Sequence, residues 1–597
     1  MVRKKMPMVA WFDPRQLADT AIRVVVSKVF GQFADRREAF AAANPIDDEA
    51  LDGRCDYRTG HEPGEDFWFD YVADTGDGWN PTYAIARLLA EAELQPLGAD
   101  APLARGRLLV MGGDEVYPTA KREEYENRLL HPYDHAYRPD GDEARQRWPD
   151  EERPDLFAVP GNHDWYDGLK SFVHFFCRRT IRAPGEAEVD RPGRLVGGRR
   201  THQTRSYFAL RLPGNWWLWG TDSQLDGYID QPQIDFFQYV AGHWMEEGSK
   251  LILCTGTPDW QYVQEKGPES FASHSYLERL ATDAVRRGHQ LKLVLSGDSH
   301  HYVRYQEEGR DYITCGGGGA FLHPTHQLRD QDFQSEFPPP GIPYDREKKS
   351  YQRRFRIATK EDGRTEALFP DREASARLAR GNAFFAFKNW QLTATLTGLY
   401  LFFIWLLDFN GRVSGKGMLA ELLGDGGYWQ AVLSYWWLVL YSPWTILLCL
   451  LSVVGYYYFT AAKGLRKAAI ALVHSALQAA LVTLTVVAVI HWLAAPGMGM
   501  ACVIGLLALA AAAAGFASAT LVGLYLWAML AWFGLHRGHF SSLKVQDYKS
   551  FLRLRIDGEG RLQVHPIGLP AVPNDRRRPT DALPPGALLI EKIPPIF

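Results

Sequence analysis

Four short apolar runs in the first half of the chain have the length of β-strands, and each ends in a glycine-containing turn with polar side chains. They are FWFDYVADTGDGWNP, LLVMGGDEVYP, LFAVPGNHDWYDG and LVLSGDSHHYVRY. Apolar runs of this length that stop at glycine are typical of buried strands followed by tight turns. The pattern predicts a domain of the α+β class whose polar side chains collect at strand ends.

The second half of the chain contains four long runs without a charged residue. They cover residues 389–407, 428–462, 468–495 and 500–535. About 20 apolar residues are enough to cross the hydrocarbon core of a bilayer. The alternative, a soluble helical bundle, is disfavoured because soluble helices carry charge on their exposed face. We therefore predict an α-helical transmembrane bundle of about four spans.

Two of these runs are longer than one simple span. In the second run we expect the spanning helix to begin near Trp436, after a tryptophan-rich start. The fourth run is predicted to be tilted, kinked near Gly515, or split into two helices.

The charges of the short loops predict the orientation of the spans. Lys463, Arg466 and Lys467 lie between the second and third runs, whereas AAPGMGM between the third and fourth carries no charge. Basic loops remain in the cytoplasm. Both ends of the chain are then cytoplasmic, and a fifth span would export the basic tail that follows the last run.

Composition excludes some classes of protein. A chain of 597 residues predicts more than one domain, and a net charge of −4 argues against a dedicated nucleic-acid binder. The six scattered cysteines form neither a zinc pattern nor a disulfide framework. The first residues lack the apolar core of a signal peptide. These features favour an integral membrane protein, for which we expect a bacterial inner membrane and a cytoplasmic polar domain.

The polar residues that follow the strand-like runs are candidate metal ligands. They are Asp74, Asp77, Asp114, Tyr117, Asn162, His163, Asp164, Asp298, His300 and His301. Carboxylates, amides and imidazoles collected from several strand ends suit a hard or borderline divalent cation, because one loop cannot surround the ion. A lone histidine at such a place is more often structural, so the prediction depends on the whole set.

In order along the chain, the motifs D-x-G, G-D-x-x-Y, G-N-H-D and G-x-x-H resemble those of the calcineurin-like metallophosphoesterase superfamily. DTG at Asp74 and GDEVY at Asp114 resemble the purple acid phosphatase branch. The surrounding sequence, such as PGNHDWYDGL and CGGGGAFLHPTH, is similar to that of membrane-associated members from bacteria and plants. The resemblance covers residues 66–326 and implies an α/β sandwich of two mixed sheets flanked by helices.

The resemblance also implies roles for individual residues. Asp114 would bridge two metal ions, and Asp74 and His300 would complete one of them. Tyr117 is either a further ligand or a structural aromatic. Asn162 and Asp298 would bind the second ion. His163 would contact the reacting phosphate and help the leaving oxygen depart, with Asp164 supporting its ring.

Two departures from the family pattern concern the second ion. The usual G-H-x-H is Gly297-Asp298-Ser299-His300, and a strand end that often carries a ligand histidine has Gly256 and Thr257. An oxygen-rich site favours Mn²⁺ or Mg²⁺, with Fe or Zn as alternatives. The side chains considered for the gap are Asp77, Asp259, His301, His323 and His326, of which Asp77, His301, His323 and His326 are also candidates for contacting substrate or supporting ligands.

The implied function is hydrolysis of a phosphate ester through two divalent metal ions, with membrane lipids as neighbours. The alternative is a catalytically weak sensor that binds metal or a phosphorylated ligand and is coupled to the membrane helices. Transport is disfavoured because the spans carry few ionisable residues, chiefly His474 and His491.

The expected domains are an amphipathic helical segment at 1–45, a phosphoesterase domain at 46–335, a linker at 336–388, the membrane region at 389–535, and a β-hairpin with a proline-rich tail at 536–597. The amphipathic helix is expected to pack on a domain rather than lie on lipid. The hairpin is expected to return to the sheet of the phosphoesterase domain, as the resemblance suggests.

Overall fold

The structure is a computed structural model that describes most of the chain. The described residues are 3–23, 37–38, 41, 55–137, 153–177, 195–223, 227–282, 287–345, 347–348, 350–413, 415, 417–424, 426–495, 497–535, 537–573 and 584–597. They form two compact units. The larger unit combines Met1–Val9, Thr20–Ala374 and Lys544–Phe597, and the helical unit combines Ala10–Asp19 and Ser375–Leu543.

One mixed sheet of the larger unit contains eight strands in the order β19-β18-β17-β1-β4-β5-β7-β6. Their bounds are Phe67–Val72 (β1), Leu108–Met111 (β4), Asp155–Ala158 (β5), Leu195–Val196 (β6), Arg199–Thr201 (β7), Lys549–Ile556 (β17), Leu562–Leu569 (β18) and Leu588–Leu589 (β19). The hairpin β17–β18 lies beside β1, with Phe67 opposite Ile556 and Tyr71 opposite Leu552. The chain therefore returns to its first strand after the helical unit.

A second mixed sheet has the order β14-β15-β12-β13-β11-β10-β9-β8, with β16 paired to β12. The bounds are Phe208–Leu212 (β8), Trp216–Gly220 (β9), Lys250–Thr255 (β10), Gln290–Ser296 (β11), Tyr302–Glu307 (β12), Arg310–Cys315 (β13), Gln331–Ser335 (β14), Tyr351–Ile357 (β15) and Leu368–Phe369 (β16). A separate two-stranded ribbon joins Glu93–Leu94 (β2) and Leu103–Ala104 (β3). Because β15 and β16 fall in the segment expected to be a linker, that segment is part of the second sheet.

Strand alternation fills the space between the two sheets. Phe67, Phe69 and Tyr71 of β1 share one buried cluster with Ile252 and Cys254 of β10. Successive side chains of a strand point to opposite faces of the sheet. The residues between those that face the other sheet therefore pack under the flanking helices. The larger unit is thus an α/β sandwich of two mixed sheets with helices outside, as predicted.

The described helices of eight or more residues are numbered along the chain. They are residues 14–23 (α1), Trp79–Ala90 (α2), Gln231–Tyr239 (α3), Asp259–Lys266 (α4), Ala272–Thr282 (α5), Arg372–Ala379 (α6), Trp390–Val413 (α7), Tyr428–Tyr441 (α8), Pro443–Phe459 (α9), Gly464–Leu493 (α10) and Met500–Phe533 (α11). Shorter helical segments include Arg122–Glu124, Tyr125–Leu130, His131–Tyr137, Asp164–Asp167, Lys170–Phe172, Val173–Cys177, Val240–Trp244, Pro268–Phe271, Arg380–Phe384, Phe385–Lys388, Met418–Leu422 and Arg537–Leu543.

Three helices of the helical unit, α7, α10 and α11, are long and apolar enough to cross a membrane. The second uncharged run differs from the prediction, because its helix starts at Tyr428 rather than near Trp436. It also breaks at Ser442, where α8 and α9 meet at a bend of 97°. Pro443 lacks a backbone N–H and begins α9, while the Ser442 side chain accepts from the Trp444 N–H as its cap. The fourth run is one continuous helix of 34 residues.

The remaining predictions concern the flanking regions and the cysteines. Just before α1, the ring of Phe12 packs edge-on against Phe385, with centroids 5.0 Å apart. Residues 24–36, within the expected amphipathic helix, and residues 574–583, in the proline-rich tail, lie outside the described residues. All six cysteines are described, and none forms a disulfide.

Candidate metal centre

The turns that carry the candidate ligands follow parallel strands. Strands β1, β4 and β5 run parallel in the first sheet, and β10, β11 and β13 run parallel in the second. The carboxyl ends of parallel strands meet at one edge, where α/β proteins place their ligand sites. Asp74, Asp114 and Asn162 follow β1, β4 and β5, and Asp298 follows β11.

Three of these aspartates have left-handed backbone conformations. The φ angles of Asp74, Asp114 and Asp298 are 56°, 53° and 63°. Few residues other than glycine adopt this region, although aspartate tolerates it. The turns also pack closely, since a Cβ atom on Gly161 would lie 2.0 Å from Asp114 Oδ1. The backbone therefore aims these carboxylates into a small common space.

Tyr117 stands at the centre of this space. Its hydroxyl oxygen lies 2.8 Å from Asp74 Oδ1, 3.1 Å from Asp114 Oδ2 and 2.9 Å from His300 Nε2. His300 Nε2 is also 3.4 Å from Asp74 Oδ1. The structure thus brings together four predicted ligands from three strand ends, and it places the phenol among the donors rather than in the core alone.

The spacing of these atoms fits the ligands of one cation. Ligands about 2.1 Å from an ion and at right angles to one another are about 3 Å apart. Asp74 Oδ2 is buried and has no hydrogen-bond partner among the described residues. Among the described residues, no group of three or more His, Cys, Asp and Glu side chains could hold a metal ion by itself. The fit therefore depends on Tyr117 as a donor.

Electrostatics favour a cation at this position. The pKa of Asp74 is raised well above its usual range, first by burial and then by repulsion from Asp298. The pKa of Asp114 is also raised well above its usual range, first by burial and then by repulsion from Asp74, Asp164 and Asp298. Burial lowers the pKa of His300 to about 4, so its ring is neutral at pH 7, as a metal ligand must be. Crowded buried carboxylates gain stability from added positive charge.

The residues predicted for a second ion, Asn162 and Asp298, each contact a tyrosine hydroxyl. The Asn162 side-chain amide donates to the Tyr166 hydroxyl over 3.0 Å. Asp298 Oδ2 accepts from the Tyr262 hydroxyl over 2.6 Å, and the Asp298 N–H donates to Asp74 Oδ1 over 3.1 Å. Tyr262, in α4, was missed by sequence reasoning, because a tyrosine on a helix has no motif that links it to the site.

His163 lies at the edge of the cluster. Its N–H donates to Asp114 Oδ1 over 2.8 Å, and its ring Nδ1 is 2.9 Å from the carbonyl oxygen of Pro118. A carbonyl can only accept, so Nδ1 carries the proton and Nε2 is the basic nitrogen. Burial lowers the pKa of this ring to about 4.

Asp164 has a different role from the predicted one. Its Oδ2 accepts from the N–H of Gly161 over 2.8 Å and of Glu115 over 3.3 Å, and its Oδ1 accepts from the Tyr125 hydroxyl. The carboxylate therefore fixes the two turns that carry Asp114 and Asn162 instead of supporting the His163 ring. Burial raises its pKa to about 7.

The other candidates occupy distinct places. Asp77 uses its two oxygens to accept from the N–H groups of Val9, over 2.8 Å, and Phe321, over 3.0 Å. The His323 ring stacks on His300 with centroids 4.1 Å apart. His301 is buried beside His300, and His326 is partly buried.

The strand end that lacks a histidine lies close to Asp114. A Cβ atom on Gly113 would be 3.6 Å from the Cα of Gly256. Gly256 does not have a positive φ, so its backbone conformation does not require glycine. Asp259, three residues further along the chain, is half-buried, and burial raises the pKa of its carboxyl to about 6.

Residues 67–302 match the family model described as calcineurin-like phosphoesterase. This part of the chain is a calcineurin-like phosphoesterase domain. The match starts at the first residue of β1 and ends at the first residue of β12, so it contains all six predicted metal ligands of the phosphoesterase domain. Strands β13–β19, which complete the two sheets of the phosphoesterase domain, lie beyond it.

Comparisons of the whole fold give weaker similarities. A solved structure titled GAP50, the anchor in the inner membrane complex of Plasmodium, has a TM-score of 0.28 and 12% identity, covering 50% of this chain and 82% of that one. PhoD has a TM-score of 0.25 and 11% identity, covering 43% of this chain and 59% of its own. No curated protein matches the chain.

Proposed function

We propose that this protein is a membrane-anchored, metal-dependent phosphoesterase. The observation that carries the proposal is the convergence of Asp74, Asp114 and His300 on the Tyr117 hydroxyl inside a calcineurin-like phosphoesterase domain. Asp74, Asp114, Tyr117 and His300 would hold one metal ion, and Asn162 and Asp298, with Asp114, would hold the second. Two divalent ions, when bound, lower the pKa of a coordinated water and offset charge on the phosphoryl oxygens.

His163 is proposed to act on the leaving oxygen. The Pro118 carbonyl fixes the orientation of its ring and leaves Nε2 as the atom that gains or loses a proton. A phosphate dianion beside the ring would favour the protonated form, from which Nε2 can donate to the departing oxygen. Asp164 would contribute by holding the turns in place.

The donor types suggest which metals bind. The pKa of the Tyr117 phenol is raised well above its usual value, first by burial and then by the charges of Asp114 and Asp74. Its coordination as phenolate therefore needs a strongly acidic ion, and iron satisfies this need best. The oxygen donors Asn162, Asp114 and Asp298 favour Mn²⁺ or Mg²⁺ in the other position, with Zn²⁺ less favoured.

The strand order supports four membrane crossings. The segment before α7 supplies β1 and the segment after α11 supplies β17, and these strands are hydrogen-bonded in one sheet. Both segments must then lie on the same side of any membrane that the helices cross, so the number of crossings is even. Since α7, α10 and α11 are each long and apolar enough for one crossing, the bent pair α8–α9 would supply the fourth.

The dimensions of the bent pair agree with a crossing. Helices of 14 and 17 residues, bent by 97° and tilted equally, advance about 31 Å along the membrane normal at about 1.5 Å per residue. The hydrocarbon core is about 30 Å thick. The basic loop with Lys463, Arg466 and Lys467 supports a cytoplasmic position for the phosphoesterase domain, by the positive-inside rule.

Hydrolysis of an aryl phosphate by the purified full-length protein tests this function. We expect no turnover after chelation and restored turnover with added Mn²⁺, Mg²⁺ or iron, compared in parallel with Zn²⁺. Metal binding without turnover of aryl, lipid or nucleotide phosphates would instead support the alternative function, a sensor that binds metal or a phosphorylated ligand. The small number of nitrogen donors for the second ion is the observation that favours this alternative.

A further inference from the structure

Tyr166 lies beside the candidate metal centre and carries a hydroxyl proton that the proposed mechanism does not use. Its oxygen accepts a hydrogen bond from Asn162 Nδ2 over 3.0 Å. No other hydrogen bond joins this hydroxyl to the described residues. Because a phenol can accept and donate at the same time, its proton is available to an acceptor oxygen of a bound ligand.

A short 3₁₀ helix, Asp164–Asp167, places Tyr166 over His163. His163 is the N-cap of this helix, and side chains three residues apart in a 3₁₀ helix lie above one another. The rings of Tyr166 and His163 accordingly meet edge to face, with centroids 4.9 Å apart. The phenol thus contacts both Asn162 and His163, the two residues of this turn that are proposed to act at the metal centre.

Two side chains of the same helix anchor it in the fold. Asp164 accepts from the Gly161 N–H over 2.8 Å, and the buried Trp165 donates its indole N–H to Asp222 Oδ1 over 3.0 Å. Tyr166, the next residue, is only half-buried. The helix is therefore held from inside the domain, while the phenol stays partly accessible to a ligand.

The His163 ring contacts a second tyrosine ring as well. Its centroid lies 4.5 Å from that of Tyr117, whose hydroxyl is already surrounded by Asp74, Asp114 and His300. The Tyr166 hydroxyl has one partner, which is a donor. Of these two phenols beside His163, Tyr166 is therefore the one whose proton is free for an incoming acceptor.

We propose that Tyr166 donates its O–H to a non-bridging phosphoryl oxygen of the bound phosphate ester. The inference rests on the proposed function, in which the neighbouring His163 acts on the leaving oxygen of the same phosphate. Asn162 Nδ2 occupies one side of the phenol oxygen and so orients the O–H. The hydrogen bond transfers no proton, and Tyr166 stays a neutral phenol that binds the phosphate without adding charge to the site.

The test compares Tyr166→Phe with Tyr57→Phe in the full-length protein loaded with Mn²⁺. Tyr166→Phe keeps the ring beside His163 and removes the O–H. Tyr57 is the matched control, because its hydroxyl donates to Asp155 Oδ2 over 3.0 Å at the end of β5 opposite to Asn162. Calorimetric titration with orthophosphate gives the phosphate affinity, elemental analysis gives the metal content, and aryl phosphate kinetics give kcat and KM.

Tyr166→Phe should weaken orthophosphate binding about tenfold or more, because a hydrogen bond to a charged oxygen is lost, while its metal content stays that of the wild type. Tyr57→Phe should keep the wild-type phosphate affinity. Wild-type phosphate affinity in Tyr166→Phe would overturn the inference alone. A loss of metal that parallels the loss of phosphate affinity would also overturn it, because Tyr166 would then act through Asn162.

The wild type separates this inference from the proposed function. Failure of the wild type to bind Mn²⁺ or orthophosphate would overturn the proposed function together with the inference. Orthophosphate binding without turnover of any phosphate ester would overturn the proposed hydrolysis, whereas weaker binding by Tyr166→Phe would still support the contact between the phenol and the phosphate.

Discussion

At the residue scale, His163 is proposed to transfer a proton without binding metal. Its ring meets a carbonyl through Nδ1, and only its backbone N–H contacts Asp114. We expect His163→Ala to reduce turnover by about 10²-fold or more while the protein keeps its metal, because the ring acts on the leaving oxygen. Metal content measured beside turnover decides the point. Parallel loss of metal and rate would make His163 a ligand.

Tyr117 is the residue on which the proposed first metal position depends. We expect Tyr117→Phe to lower metal content and to remove any phenolate-to-metal absorption band, since the variant keeps the ring and loses the donor oxygen. Tyr133→Phe is the control, because the Tyr133 hydroxyl is buried and has no hydrogen-bond partner among the described residues. Full metal content in Tyr117→Phe would assign the tyrosine to packing.

Sequence patterns located these candidate ligands because each motif combines a strand end with a fixed turn. Asp74, Asp114 and His300 were predicted from the motifs and lie together in the structure. Asp164 was assigned a partner it does not contact, since neighbouring positions in a tight turn point to different sides. Tyr262 reaches Asp298 from a helix, and such long-range pairs leave no local pattern.

At the element scale, strand β15 is fixed by a buried charge network. Arg353 Nη1 lies 2.9 Å from Glu278 Oε2, in α5, and Nη2 lies 2.6 Å from Glu307 Oε2, in β12. The segment looked like a linker because prolines and basic residues dominate its sequence. One of its basic residues, Arg353, instead forms ion pairs inside the fold, which composition alone cannot reveal.

We expect Arg353→Met to destabilise the protein by about 3–5 kcal/mol at pH 7, because two buried carboxylates lose their partner. Arg356→Met, on the exposed side of the same strand, should cost less than about 1 kcal/mol. Chemical denaturation at a series of pH values gives both free energies of unfolding. Equal effects of the two variants would mean that the network does not hold β15.

The pH dependence of this network has a definite sign. Burial opposes ionisation of Glu278, but the interactions with Arg353 and His274 together outweigh it and hold the pKa of this carboxyl below its usual value of 4.5. A lowered folded-state pKa adds stability above pH 4.5 that is lost as pH falls toward the folded-state value. The difference between wild type and Arg353→Met should therefore be largest near neutral pH and shrink below pH 4.5.

At the scale of the whole molecule, the pairing of β1 with β17 supports an even number of membrane crossings in the proposed topology. With three single spans, an even number would require the α8–α9 pair to cross, and the loops before α8 and after α9 would then lie on opposite sides. Hydropathy located the uncharged run but not the break at Ser442, because proline and serine leave its mean hydropathy nearly unchanged.

Cysteine labelling tests this topology. We expect Leu423→Cys and Leu465→Cys to react with a membrane-impermeant maleimide from opposite sides, with Leu465→Cys accessible from the cytoplasm. Both positions are exposed, and the incompletely buried Cys55, Cys449 and Cys502 are first replaced by alanine. Labelling of both positions from one side would make α8–α9 a re-entrant pair.

The most direct test of the central claim is the metal content and aryl phosphate turnover of Asp114→Asn measured beside wild type. Asp114 lies beside the Tyr117 hydroxyl and also accepts a hydrogen bond from the His163 N–H. Both proposed metal positions therefore depend on its charge. The account predicts that the wild type binds metal and hydrolyses the ester, and that the folded variant loses both, because a neutral amide cannot offset two cations. A variant with wild-type metal content and turnover would contradict a metal-dependent phosphoesterase centred on Asp114.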